Sequence, residues 1–202
     1  SKKSRRIYSE LDSAMSTFVN GREVTLPLIV SKTQKLQQVA AGFLIDTEER
    51  KALTFGRDKL RALEKLLNRI FSQGHGEKIV ICAKFIQELR MIESLLSRLN
   101  LTYQTISGKK EFQGGFDKDV TLIQIQSGVA IDLSEAHKFI FYSCGHRYID
   151  YEQARFRILS FDKKEAAFYY LIAKNTMDEL VYKAQTKKKD LATLVLDHYR
   201  RK

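Results

Sequence analysis

The sequence predicts an α/β fold, with a parallel sheet covered by helices on both faces and a helical N-terminal extension. Three observations lead there. Short apolar runs recur from residue 78 onward, helical spacing fills the stretches between several of them, and the first 75 residues are mostly helical in rhythm. Runs that are apolar at every position suit strands buried on both sides, as parallel strands under covering helices are.

The elements follow in order. Ile7, Leu11, Ala14, Met15 and Phe18 recur at helical spacing, and Asn20-Gly21 ends that helix. A second helix starts near Pro27, the single proline, and runs through Leu36, Val39 and Ala40 to Gly42. Asp46 to Arg50 is charged and reads as a loop. A third helix spans about Asp58 to Phe71, with Leu60, Leu63, Leu67 and Ile70 on one face, and Gln73-Gly74-His75-Gly76 breaks the chain after it. Strands are then expected at Lys78 to Ala83, Leu101 to Ile106, Val120 to Ile125, Lys138 to Tyr142 and Ala166 to Ile172. Helices are expected at Ile86 to Leu99, Ile149 to Leu159 and Met177 to Tyr199. The chain thus divides into a helical extension, residues 1–75, and an α/β domain, residues 76–202. Ligands of such domains bind beyond the carboxyl ends of the strands.

Composition narrows the partners. At 202 residues, 44% hydrophobic and 29% charged, the chain has the make-up of a globular domain, and no apolar run is long enough to span a bilayer. The polar start, Ser-Lys-Lys-Ser-Arg-Arg, is no signal peptide, and without an initiator Met the chain reads as a piece of a longer protein. Cys82 and Cys144 are 62 residues apart, with no histidine at ligand spacing, so no metal site is expected. Both read as reduced thiols, which suits the cytoplasm. The net charge of +11 favours a polyanion partner, with a solvated basic surface as the alternative.

Much catalytic chemistry is absent from the sequence. There is no G-x-x-x-x-G-K-[ST] phosphate loop, no Asp-Glu pair placed after a strand to hold Mg²⁺, and no G-x-G-x-x-G fingerprint. His75, His137, His146 and His198 are scattered. A self-contained hydrolase is therefore not expected.

Two signals lie at strand ends. After Val120-Thr-Leu-Ile-Gln-Ile125 comes Gln126-Ser-Gly-Val-Ala-Ile-Asp-Leu133. Gly128 just past a buried strand lets backbone amides approach a ligand, and Asp132 offers a carboxylate at the same edge; a plain helix cap is the alternative for Asp132. The second signal is Tyr151-Glu-Gln-Ala-Arg-Phe-Arg157. Gln153 and Arg157 are four apart and share a helix face, and Arg suits phosphate because its planar fork donates two charge-assisted hydrogen bonds. A solvated helix face would carry the same spacing.

The order of these segments resembles the second motor domain of the Swi/Snf-type branch of superfamily-two helicases, in versions similar to those of phages and bacteria. It runs from a buried strand to a Ser-Gly-x-x-x-Asp-Leu turn, an Ala-His-x-x-Ile-Phe-Tyr strand, a Glu-Gln-Ala-x-x-Arg helix, and Thr-Met-Asp-Glu opening a last helix. Lys35 to Phe43 and Lys59-Leu-x-x-Leu63 resemble segments found just before that domain. The resemblance covers roughly residues 8–190 and implies a RecA-like fold.

It also implies roles. Ser127, Gly128 and Asp132 would couple the nucleotide to the DNA strand, Gly128 and Asp132 on the ATP side and Ser127 on the nucleic-acid side. Gln153 and Arg157 would face the ATP phosphates across an interdomain cleft, with Arg157 as the catalytic group. Lys84 ends the strand that matches the family's fourth motif, near the DNA backbone; apart from the resemblance, the net charge and their nearness to strand ends make Lys84, Lys109 and Lys110 the expected nucleic-acid contacts. Thr176, Asp178 and Glu179 would open the closing helix. ATP and Mg²⁺ are implied as cofactors, held mostly by a first RecA-like domain outside this chain. DNA is the implied partner, with RNA as the alternative, in the cytoplasm of a bacterium or a phage-infected host.

The sequence departs from the pattern at several points. Ser160 stands where a second Arg, the arginine finger, is common, and its loss weakens the expectation of hydrolysis. Ala130 replaces a Gly, His146 stands where Trp is common, and the connection from Gly108 to Val120 is short. The expected function is half of an ATP-driven DNA translocase, inactive alone. The alternatives are a degenerate module that only docks on nucleic acid or a protein, and an unrelated α/β enzyme, against which the lack of a nucleophile–base pair counts.

Overall fold

The computed structural model describes residues 1–16, 26–46, 51–72, 76–108, 117–125, 133, 135–145, 147–156, 166–188 and 191–200. Five parallel strands form its sheet: β3 (Ile79–Ala83), β4 (Tyr103–Ile106), β5 (Val120–Gln124), β6 (Lys138–Phe141) and β7 (Ala167–Tyr170), in the order β4-β5-β3-β6-β7. Ile79 pairs with Val120 on one side and Lys138 on the other, which fixes the register of the three central strands. Every residue of β3 is buried, as a strand covered on both faces requires.

Side chains alternate across this sheet. Ile79, Ile81, Ala83, Leu122 and Ile140 face one side, where they meet Leu63, Leu67 and Ile70 of α3 (Asp58–Phe71) and Leu89, Ile92, Leu95 and Leu96 of α4 (Ile86–Arg98). Val80, Cys82, Ile123, Phe139 and Phe141 face the other, against Tyr151 and Ala154 of α5 (Tyr148–Phe156). The strand period of two therefore sorts one sequence into two cores.

The other elements are α1 (Lys2–Ser16), α2 (Leu26–Ala41), the antiparallel pair β1 (Phe43–Ile45) and β2 (Ala52–Thr54), α6 (Met177–Thr186) and α7 (Leu191–Arg200). α2 ends at Gly42, whose φ of +93° suits a residue without a side chain. Its carbonyl accepts the amides of Phe55 and Gly56, and a Cβ at Gly42 would lie 2.3 Å from the Gly56 carbonyl oxygen. Any side chain there would break the joint between helix and hairpin.

By packing, the described residues group into two compact units, residues 60–172 and residues 1–59 with 173–202. α6 and α7 pack on α2. The second unit carries a polar network. Tyr8 Oη accepts the Met177 amide at 2.7 Å, and Lys59 Nζ donates to Asp178 at 2.7 Å. Asp12 accepts from Tyr199 Oη and lies 3.6 Å from Lys32 Nζ, whose ammonium sits 3.7 Å from the Tyr199 ring centre.

The expected single helix from Met177 to Tyr199 is two helices, with Lys188 at a φ of +51° after α6. The hairpin β1–β2 stands where no strand was expected. No helix among the described residues is long and apolar enough to cross a membrane.

Candidate functional site

The carboxyl ends of β5, β3 and β6 lie side by side. The Ile125 amide donates to the Ala83 carbonyl and the Tyr142 amide to the Cys82 carbonyl, each at 2.9 Å, so pairing continues to the last residue of each strand. Beyond it a polar knot takes over. Glu88 Oε2 accepts the amides of Lys84 at 3.1 Å and Phe85 at 3.0 Å, and the Ser143 hydroxyl. The Lys84 amide is shared with Ser143 Oγ at 2.8 Å, and Gln124 Nε2 lies 3.4 Å from the Lys84 carbonyl. Glu88 is wholly buried in the first turn of α4, where a carboxylate complements the exposed helical amides. One carboxylate thus ties the ends of β3 and β6 to α4.

The structure does not present Lys84 as a surface cation. The residue is 4% exposed, and its ammonium lies 4.9 Å from the Phe85 ring centre. It stands at the strand end between buried Ala83 and half-buried Phe85.

Gln153 is exposed on α5, between the exposed side chains of Ile149 and Phe156 at helical spacing. The opposite face of α5 is anchored. Phe141 stacks on Tyr170 with centres 5.0 Å apart, and the Tyr151 and Tyr170 hydroxyls meet at 2.7 Å. Burial pushes both phenols above their usual range. Arg155 donates to Glu152 at 3.0 Å and lies over the rings of Tyr151 and Phe168. Arg147 lies 3.7 Å from Asp150. Asp150 and Glu152 of α5 are thus each paired with an arginine of the described residues.

Ser127, Gly128, Asp132, Lys109, Lys110, Arg157 and Ser160 lie outside the described residues. Asp178 and Lys59, from two segments far apart in the sequence, are brought together in a buried ion pair, and Thr176 Oγ1 caps α6 by accepting the Asp178 amide at 3.2 Å. The Glu88–Ser143 knot was missed by sequence reading. Its one trace is a glutamate three residues after the helix-capping position, but Phe85 holds that position and hides the pattern. Among the described residues no three His, Cys, Asp or Glu side chains cluster to hold a metal ion.

No family model matches the chain. A relative in fission yeast, Schizosaccharomyces pombe, the ATP-dependent helicase fft2, is 28% identical over 142 residues, which is 64% of this chain and 11% of that protein. Among solved structures, the C-terminal part of the Fun30 ATPase domain matches 71% of this chain and 53% of its own, with a TM-score of 0.58 and 22% identity. The Sulfolobus solfataricus SWI2/SNF2 ATPase core in complex with dsDNA matches 92% of this chain and 41% of its own, with a TM-score of 0.67 and 14% identity.

The fold is that of a Swi2/Snf2 ATPase core. The RecA-like sheet expected from the sequence is present. The sequence relative is eukaryotic, so the phage or bacterial kinship has no support from it. The chain spans only about a tenth of the length of that helicase.

Proposed function

We propose that the chain is the second motor domain of an ATP-dependent translocase acting on DNA. The observation that carries this reading is the coincidence of sequence likeness to an ATP-dependent helicase with a parallel sheet of Swi2/Snf2 type. The exposure of Gln153 on α5 supports it, because a phosphate-facing glutamine must be open to a cleft. ATP would lie between this domain and a first RecA-like domain of the same longer protein. Gln153, Arg157, Gly128 and Asp132 would line this side, with Arg157 stabilising the charge on the transferred phosphoryl group. The first domain would hold Mg²⁺ and the phosphate loop, neither of which this sequence supplies. Ser127, Lys109 and Lys110 would contact the DNA backbone, giving sequence-independent, salt-sensitive binding. With these partners the domain would act inside the cell.

Residues 76–202 would carry the motor motifs and residues 1–75 would be the helical extension. In that arrangement the Lys59–Asp178 pair would join the extension to the last helices of the motor.

Ser160 favours a second reading, a degenerate module that binds nucleic acid without hydrolysis. ATP turnover of the longer protein with and without duplex DNA separates the two. DNA-stimulated turnover supports the motor, and DNA binding without turnover supports the module. The isolated chain should show no turnover above background, and DNA-stimulated hydrolysis by it alone would overturn the split-site reading.

A further inference from the structure

The proposed ATP and strand-end sites use no residue on the solvent side of α3 and α4. Arg61, Lys65 and Arg69 are exposed at intervals of four along α3, and Arg90 and Arg98 are exposed along α4. Intervals of four keep side chains on one helix face. Exposed Asn68 on α3 and Ser94 and Ser97 on α4 add neutral hydrogen-bonding groups among them. The acids on these helices do not balance the five cations. Asp58 lies at the start of α3, Glu64 is half-buried and accepts from Arg98 at 3.0 Å, Glu88 is wholly buried, and Glu93 accepts from Thr105 at 2.6 Å. The Arg98–Glu64 contact also bridges the two helices, so their outer faces form one surface.

We propose that this surface is a second contact for the phosphate backbone of duplex DNA, apart from the strand-end site. α3 and α4 cover one face of the sheet and α5, which carries Gln153, covers the other, so the two surfaces lie on opposite sides of the strands. Arg61 to Arg69 spans about 12 Å along the helix. Over that length a duplex carries about seven phosphates, enough to engage the cations of both helices. Four of the five cations are arginines, whose forked guanidinium matches a phosphate with two parallel bonds. The inference does not rest on the motor reading, since it needs neither ATP nor a first domain.

The test uses the whole chain and a fluorescent mixed-sequence duplex, with binding followed by anisotropy between 50 and 200 mM salt. Arg61→Ala, Lys65→Ala and Arg69→Ala are combined in one variant, and Lys2→Ala, Lys3→Ala and Arg5→Ala, exposed cations of α1, in a control that removes the same charge. If all three α3 cations touch phosphates, the α3 variant binds more weakly, and its loss of affinity over that salt range is about 40-fold smaller than the parent's, from a slope of about 0.9 per contact. The control keeps the parent's slope. Equal effects in the two variants would mean that only net charge matters, and an unchanged α3 variant would mean the surface is merely solvated. Either result overturns the proposal, as does tighter displacement by polyglutamate than by unlabelled duplex at equal charge, which would point to an acidic protein instead. Lys109→Ala with Lys110→Ala tests the strand-end contact separately, so that either site can fail alone.

Discussion

The Lys59 ammonium meets the Asp178 carboxylate at 2.7 Å across 119 residues of sequence, and their side chains are 5% and 6% exposed. The carboxylate also accepts the Ala173 amide at 3.2 Å. Removing one partner of such a pair leaves an uncompensated buried charge, which costs far more than removing both. Lys59→Met should therefore lower stability by about 3–5 kcal/mol in urea unfolding. Combining it with Asp178→Leu should recover part of that loss, short of the parent because the Ala173 amide loses its acceptor. A double variant as unstable as the sum of the singles would show that the two groups do not interact.

Glu88 offers a second stability test. Glu88→Ala strips the Phe85 amide and the Ser143 hydroxyl of an acceptor in a buried setting, so a loss of at least about 2 kcal/mol is expected. Glu88→Gln keeps one carbonyl acceptor and should lose less. Amide exchange at Lys84 and Phe85 should quicken in the Ala variant, and unchanged exchange there would argue against the knot.

Alkaline pH should destabilise the fold. Burial pushes the phenols of Tyr8, Tyr151, Tyr170 and Tyr199 above their usual value. In the unfolded chain they ionise near pH 10, whereas the folded chain holds their protons, so unfolding releases protons above that pH. This contribution is complete below about pH 10 and declines as pH rises beyond it. Melting temperatures measured from pH 8 to 11 should fall only at the upper end. Tyr8→Phe should soften the fall while costing about 1 kcal/mol at every pH, since the Met177 amide loses its acceptor.

In the longer protein, Arg157→Ala should raise the barrier to ATP turnover by a few kcal/mol, about 3–4 for the loss of one charge-stabilising donor, and leave the fold intact. Arg157→Lys should rescue little, because an ammonium cannot reproduce the bidentate fork. A lower melting temperature with unchanged turnover per folded molecule would assign Arg157 a structural role instead.

The helices and central strands were legible for local reasons. α3 begins at Asp58 and ends at Phe71 as read, because its apolar residues keep strict helical spacing between an acidic start and a glycine-rich break. β3, β5 and β6 were legible because covered strands are apolar on both sides. The β1–β2 pair was not, since three residues are too few to display an alternation. The break between α6 and α7 falls in a lysine-rich stretch without Gly or Pro, so nothing local announces it. The grouping of α6 and α7 with α2 rests on contacts between chain ends, which periodicity cannot carry. At the site, the order of motifs was visible, and Gln153 is exposed on α5. The burial of Lys84 was not visible, because a lysine at a strand end reads the same whether it faces solvent or a phenylalanine ring.

The two compact units differ in when they can be finished. Residues 60–172 are contiguous, so the sheet and its covering helices can form as soon as that stretch has emerged during synthesis. The other unit takes one part from residues 1–59 and the other from residues 173–202. Its first half is made early and must wait through the whole sheet for α6 and α7, then a few seconds more at about 5–20 residues per second. During that wait the surfaces of α2 that later meet α6 and α7 have no cover. Joining the two ends early in a circularly permuted chain should shorten this window and reduce aggregation while the protein is being made.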